Sequence, residues 1–252
     1  MLIATATLIT LLLFGGPEEL FLINALEKGI KKEIIDKDLK KEIKSEISEY
    51  KKSVKNYKKQ RTNQKKELSN LYVSRTTTKE EFTTLFEEML STLKKLQKEA
   101  FETRISVLDK ISEEEWGNII AKEKERLVKL EQKNAKKKDK EKSKNPFSKF
   151  EATVQALQLD TQTEQNALDH IESLKEQYAN LENYVEDTRN KFVTIINNKS
   201  STEQELETIA NWNNDLRKKA FFELSDLYLL LSKNVPESEW NTVAKEFKKL
   251  VK

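Results

Sequence analysis

The chain has 252 residues, of which 35% are charged and only 37% hydrophobic, with four glycines, three prolines and no cysteine. This composition favours helices that each bury one stripe, and it argues against a many-turned β fold or a doubly covered parallel sheet. The absence of cysteine, with a single histidine, excludes disulfides, thiol catalysis and cysteine-based zinc sites. The net charge of +3 is unevenly distributed, because residues 28–66 carry 15 basic and 6 acidic side chains whereas residues 147–252 carry 13 and 18.

The first segment of the chain is apolar. Residues 2–14 contain no charged side chain, and the apolar character resumes after Glu19 and continues to Leu26. Thirteen residues are fewer than the roughly 20 that a spanning helix needs, and no basic residue precedes them as in an export signal. We therefore expect residues 1–36 to form a hydrophobic membrane anchor and an interfacial helix, with membrane contact through residues 1–26. The alternatives are a cleaved export signal and an apolar end buried in a partner.

Basic residues follow this segment closely, whereas none precedes it. The positive-inside rule then predicts a cytoplasmic body, with a periplasmic body as the alternative. The same side chains could contact anionic headgroups, or they could form the solvated face of a helix. The residues that we predict to contact an anionic surface are Lys28, Lys31, Lys32, Lys37, Lys40 and Lys41.

Two parts of the chain resemble each other at an offset of 124 residues. Thr78 and Trp116 are separated by 38 positions, and so are Thr202 and Trp240. Upstream, an apolar heptad seam from Ile43 to Leu71 recurs in the same register between residues 167 and 195. We therefore predict that residues 43–128 and 167–252 are an internal duplication.

Each copy is predicted to contain three helices. The first helix covers about 37–73 and again about 163–197, and the third begins at Ser112 and at Pro236. The second begins at a capping box, formed by Thr78 with Glu81 and by Thr202 with Glu205, and ends near 110 and 233. The predicted fold is an all-α, elongated helical bundle of two duplicated three-helix units with long antiparallel hairpins, plus the N-terminal anchor. Its predicted divisions are residues 1–36, 37–132, 133–146 and 147–252.

The predicted division at 133–146 contains seven lysines and two acidic residues. It lacks interleaved aromatic residues, and we therefore interpret it as a solvated linker. Binding of nucleic acid or lipid is the alternative, although nucleic acid is not the partner that we expect.

The aromatic residues suggest two different roles. Trp116 and Trp240 occupy the same place in the two copies, a few residues into the third helix, and we expect both to pack over the helical hairpins. Trp212 has no counterpart, because the equivalent residue is Glu88. We predict that it contacts a protein partner together with Phe221, Phe222 and Tyr228. Core packing is the alternative for these four residues.

The sequence offers little evidence of chemistry. His170 has no second histidine at metal-ligand spacing, and no pair of carboxylates lies in an apolar setting that would shift its pKa. We therefore expect no metal, no cofactor and no enzymatic activity.

Two six-residue segments, Ile111–Trp116 and Val235–Trp240, resemble the helix-starting motif of the small periplasmic helical proteins of the Spy and CpxP type and of heavy-metal sensors. The resemblance implies hairpins of long helices and a chaperone-like or stress-sensing role in the periplasm.

The leading hypothesis is a non-enzymatic, membrane-anchored helical scaffold or accessory subunit that binds another protein, in an integral membrane complex or as a homodimer. One alternative is a periplasmic chaperone-like or stress-sensing protein. A second alternative is binding of nucleic acid or anionic lipid through the basic segments, which would be strongly salt-dependent.

Overall fold

The computed structural model describes residues 21–138 and 146–250, and within these ranges all regular secondary structure is helical. The predicted all-α class is therefore confirmed. The helices are α1 (Ile23–Glu33), α2 (Lys37–Leu71), α3 (Lys79–Lys110), α4 (Glu113–Lys138), α5 (Pro146–Gln155), α6 (Thr161–Asn197), α7 (Glu203–Asn234) and α8 (Glu237–Leu250).

Local cap chemistry determines where several helices begin. The Thr78 hydroxyl accepts from the Glu81 amide at 3.2 Å, and the Glu81 carboxylate accepts from the Thr78 amide at 2.7 Å. The same reciprocal bonds join Thr202 and Glu205 at the start of α7. Each box satisfies first-turn amides that have no partner within the helix. Ser112 and Glu115 form a third box before α4.

Aspartates cap the N-termini of the two longest helices, α2 and α6. Asp36 accepts from the amides of Asp38 and Leu39 at 2.8 and 3.0 Å before α2. Asp160 accepts from the Thr163 amide at 3.0 Å before α6. A carboxylate at this position also interacts favourably with the positive end of the helix dipole. Because α2 has 35 residues, it is about 50 Å long at 1.5 Å per residue.

The long helices form two antiparallel hairpins. α2 packs against α3, and α6 packs against α7. The hairpins meet where α3 packs against α7. These two helices are antiparallel, since Lys79 lies 3.0 Å from Asp226 while Gln97 bonds to Asn214. The short helix α1 packs on α2 and α4, and α5 packs on α6 and α8.

Two hydrophobic cores result, and both hairpins contribute to each of them. The α1-side core combines residues of α1–α4 with Ile196, Leu206 and Ile209 of the second hairpin. The α8-side core combines residues of α5–α8 with residues from the other end of the first hairpin, including Leu68, Tyr72 and Phe82. The two hairpins are therefore held together by shared cores.

Helix α1 differs from its predicted place at a membrane interface. The large apolar residues of α1 and of its two flanks are buried in the α1-side core, where each is 0–1% exposed: Phe21, Ile23, Leu26, Ile30 and Ile34. A Cβ atom on Gly29 would lie 2.4 Å from Ile119 Cγ1, so α1 and α4 approach closely. The interfacial prediction is therefore wrong for residues 21–34, because protein covers their apolar face. The anchor prediction for residues 1–20 lies outside the described residues.

Among the described helices, none combines the length and the hydropathy that a membrane crossing requires.

The helices follow one another in two similar series. Helices α2, α3 and α4 begin at residues 37, 79 and 113, and α6, α7 and α8 begin 124 residues later at 161, 203 and 237. Ile23 of α1 is likewise 124 residues before Phe147 of α5, and both are buried. Each series thus contains four helices rather than the predicted three, because α1 and α5 also pack into the cores.

Candidate functional site

A surface groove with a volume of about 640 Å³ lies between the start of α1 and the middle of α2. Helix α1 folds back along the first half of α2, and the groove lies beside the first residues of α1, Ile23 and Asn24. Apolar atoms provide most of its lining. The lining residues are Ile23, Asn24, Tyr50, Lys51, Val54, Lys55, Lys58, Lys59 and Thr62.

Every charged residue that lines this groove is a lysine. Lys51, Lys55 and Lys58 follow one another at intervals of four and three residues, which places them on one face of α2. Val54 and Tyr50 are 7% and 4% exposed, and they form an apolar floor beneath the ammonium groups. The groove therefore combines an apolar base with a cationic rim.

One carboxylate stands at the edge of this cationic rim. Glu27 Oε2 accepts from Lys51 Nζ at 2.5 Å, and Glu27 Oε1 lies 3.5 Å from Lys31. The hydrogen bond from Lys51 holds the pKa of Glu27 below its usual value. Glu27 thereby connects α1 to α2 beside the groove.

The lysines predicted to meet an anionic surface lie near the connection between α1 and α2, away from the groove. Lys28, Lys31, Lys32, Lys37 and Lys41 are exposed, and Lys40 is half-buried. Between them Ile35 is 90% exposed. Contact of this cluster with an anionic surface stays a prediction. The groove lysines at 51–59 belong to the same basic stretch, but sequence reasoning did not single them out as a site.

The predicted partner contact is wrong for two of its four residues. Phe221 and Tyr228 are fully buried. The ring centroid of Tyr228 lies 5.0 Å from that of Phe82 and 5.5 Å from that of Trp240. Phe222 is half-buried against Phe86 and Phe221, and Trp212 is also half-buried. A partner could reach Phe221 or Tyr228 only by opening the α8-side core.

Trp116 and Trp240 are buried, and each contacts the turn of the opposite hairpin. The Trp116 indole donates to the carbonyl of Asn197 at 2.7 Å, and the Trp240 indole donates to the carbonyl of Val73 at 2.8 Å. Residues 73 and 197 lie at the ends of α2 and α6. We call these two contacts the reciprocal tryptophan clamps, because each holds the other hairpin's turn.

Each clamp has a second donor beside it. Arg104 is 1% exposed and donates to the carbonyls of Ile196 at 2.7 Å and Asn198 at 3.3 Å. Its guanidinium also lies 5.1 Å from the centre of the Trp116 ring, and burial lowers the pKa of Arg104 to about 10. On the other side the Tyr228 hydroxyl donates to the carbonyl of Ser74. Both turns are therefore bonded through their backbone carbonyls.

His170 forms a local polar pair. Its Nδ1 lies 2.7 Å from Glu223 Oε1, beside a small surface pocket between α6 and α7. Among the side chains that the structure describes, no cluster of three or more histidine, aspartate or glutamate residues is arranged to hold a metal ion. His170 thus joins two helices of one hairpin.

A buried amide pair lies where α3 crosses α7. Gln97 Nε2 donates to Asn214 Oδ1 at 3.2 Å, and Asn214 Nδ2 donates to Gln97 Oε1 at 2.9 Å. Arg217 donates to the same Asn214 oxygen at 3.0 Å. Since buried polar groups require partners, this pair favours one register of α3 against α7.

Comparison with known proteins returned no match to a family model, a curated protein or a solved structure. The resemblance to the Spy and CpxP type therefore stays a prediction.

Proposed function

We propose that this chain is a non-enzymatic helical scaffold or accessory subunit that binds another protein and is held at a membrane by its first 20 residues. The observation that carries the proposal is the pair of reciprocal tryptophan clamps. They hold both hairpin turns against the opposite hairpin and leave the outer faces of the long helices exposed. A body built in this way presents fixed, charged surfaces to a partner.

The distribution of exposed apolar side chains also supports a scaffold. In the described part of the chain the large exposed apolar residues are Ile35, Val73 and Val193, and they lie on different segments. A chaperone that binds unfolded clients requires a continuous apolar surface. The exposed faces here suit a folded partner that recognises charge.

We further propose that the scaffold is an internal duplication whose unit is four helices, α1–α4 and α5–α8. Three pairs of contacts at the 124-residue offset support it. The tryptophan clamps are one pair, and the aspartate caps Asp36 and Asp160 are another. In the third, the Thr77 hydroxyl donates to the carbonyl of Leu71, and the Ser201 hydroxyl donates to that of Ile195.

The membrane part of the proposal is tested by removing residues 1–20 alone. A deletion that continued to residue 26 would also remove Phe21, Ile23 and Leu26 from the α1-side core and would unfold α1. We expect the shortened chain to keep its helicity and thermal midpoint but to move from the membrane fraction to the supernatant in high salt, which screens attraction between lysines and anionic headgroups. Full membrane recovery of the shortened chain would contradict the anchor.

The partner is sought by purifying the tagged full-length chain from its native membranes in mild detergent. The scaffold proposal predicts one partner in a fixed ratio, retained in moderate salt. A heterogeneous set of unrelated proteins would contradict the scaffold and favour the chaperone-like alternative.

A further inference from the structure

We propose that the groove between α1 and α2 binds the phosphate-bearing headgroup of an anionic phospholipid. The proposal deepens the membrane association proposed above. It assigns that association a second element, distinct from the apolar N-terminal segment, and it names the class of lipid.

The size and lining of the groove suit a phosphate-bearing headgroup. Its volume of about 640 Å³ lies within the range of small-molecule sites, roughly 300–1,000 Å³. The lysine rim would face the phosphate, and the buried side chains of Ile23, Tyr50 and Val54 close the base of the groove. Asn24 and Thr62 add neutral polar groups to the lining.

Two of the four lysines of the rim, Lys55 and Lys59, are available for an anion. Lys51 is paired with Glu27, but Lys55 and Lys59 form no ion pair with any described residue, and both side chains are exposed. Ammonium groups form strong charge-assisted hydrogen bonds with phosphate oxygens. A phosphate placed between Lys55 and Lys59 would therefore neutralise two cations that have no ion pair with a described residue.

The position of the groove favours a lipid over other anions. The groove begins at Ile23, and the sequence just upstream contains the uncharged run of residues 2–14. A chain held in a bilayer by that run would bring the groove close to the headgroups. Nucleic acid is disfavoured, because the one aromatic ring that lines the groove, Tyr50, is 4% exposed and therefore cannot stack on a base.

The test uses the full-length chain in a neutral detergent and a short-chain anionic lipid, dihexanoyl phosphatidylglycerol. Binding is followed by the shift of the thermal midpoint with lipid concentration, since a ligand of the folded state raises that midpoint. The groove variant is Lys55→Glu/Lys59→Glu. The matched control is Lys44→Glu/Lys66→Glu, which makes the same change of charge on exposed lysines of the same helix that neither line the groove nor belong to the predicted anionic-surface cluster.

We expect the groove variant to weaken binding of the anionic lipid at least ten-fold and the control to change it less than three-fold. Equal weakening by both variants would overturn the proposal in favour of general surface attraction. Equal binding of dihexanoyl phosphatidylcholine would overturn the role of the anionic headgroup. If glycerol phosphate bound as tightly as the lipid and the groove variant weakened its binding, the groove would be a site for a free phosphate. The same result with polyglutamate would make it a site for an acidic peptide.

These outcomes are independent of the anchor test. Every variant in the lipid titration retains residues 1–20, so a failure of the groove proposal leaves the fractionation result unchanged. The two tests can also give opposite answers. If the groove binds the lipid but membrane recovery does not need residues 1–20, the anchor proposal is overturned and the groove proposal stands.

Discussion

The indole nitrogens of Trp116 and Trp240 act on residues that are far away in the sequence. Each donates one hydrogen bond to a backbone carbonyl at the end of the opposite hairpin's first helix. Both bonds lie in partly buried surroundings, so a carbonyl that loses its indole donor is only partly compensated by water. These bonds hold the hairpin turns in place, while the rings themselves fill the cores.

Replacing either tryptophan by phenylalanine keeps the aromatic packing and removes the donor. We expect Trp116→Phe and Trp240→Phe each to lower the free energy of unfolding by about 1 kcal/mol. The clamps lie at separate cores, so the double variant should show the sum within about 0.5 kcal/mol. Urea denaturation of the three variants measures these changes. An effect confined to one tryptophan would contradict the equivalence of the two clamps.

The ion pair of Glu27 and Lys51 predicts a pH dependence. The pKa of Glu27 is lowered in the folded state, so its contribution is present above the unfolded value of 4.5 and is lost as the pH falls through the folded pKa. We expect Glu27→Gln to lower the free energy of unfolding by about 0.5 kcal/mol at pH 7 and by less at pH 3. The control is Glu49→Gln, because Glu49 and Lys52 form a more exposed pair on one helix. A cost that stayed constant from pH 7 to pH 3 would contradict the ion pair.

At the scale of the helices, the contact of α1 with α4 depends on one glycine. A Cβ atom at position 29 would overlap the buried side chain of Ile119, whereas at position 117 nothing lies within 4 Å. We expect Gly29→Ala to destabilise the protein by about 1–3 kcal/mol despite the better helix propensity of alanine. Gly117→Ala should stabilise it by about 0.5–1 kcal/mol. Thermal unfolding measures both, and a stabilised Gly29→Ala would show that α1 is free of α4.

The same helix shows where sequence reasoning succeeds and where it stops. The starts of α3 and α7 were predictable because the bonds of Thr78 and Thr202 involve only the next three residues. Helix α1 was misassigned because an apolar stripe has the same spacing whether it faces lipid or protein. The 124-residue offset offered a correction. It pairs Ile23 with Phe147, which lies far from the apolar N-terminal run, so a role in the core could have been predicted for both residues.

The groove and the clamps were beyond prediction for a different reason. The basic stretch at 28–66 indicated a cationic surface, but the lysines that line a groove depend on where α1 lies against α2. Likewise, Trp240 meets Val73 only because α7 is antiparallel to α3. Contacts between residues this far apart in the sequence cannot be predicted from the local pattern around Trp240 or Val73.

For the whole molecule, the shared cores predict that the two halves remain together without a covalent link. A protease site inserted within 139–145, in the lysine-rich stretch that the sequence predicts to be a solvated linker, would divide the chain between α4 and α5. We expect the fragments to elute as one species with unchanged helicity and to separate only in denaturant, because the α8-side core contains residues of both hairpins. The uncleaved chain with the same insertion is the control. Separation in native buffer would mean that the contacts of α3 with α7 are too weak to hold the halves.

The reciprocal tryptophan clamps also have a consequence for synthesis on the ribosome. Val73 precedes its donor Trp240 by 167 residues, an interval of about 10 s at ordinary translation rates. During that time the turn of the first hairpin has emerged, but the α7 and α8 side chains that cover Tyr72 and Phe82 do not yet exist. The nascent chain therefore exposes half of a core that it cannot complete, and a holding chaperone or a slowed ribosome would have the most effect in this interval.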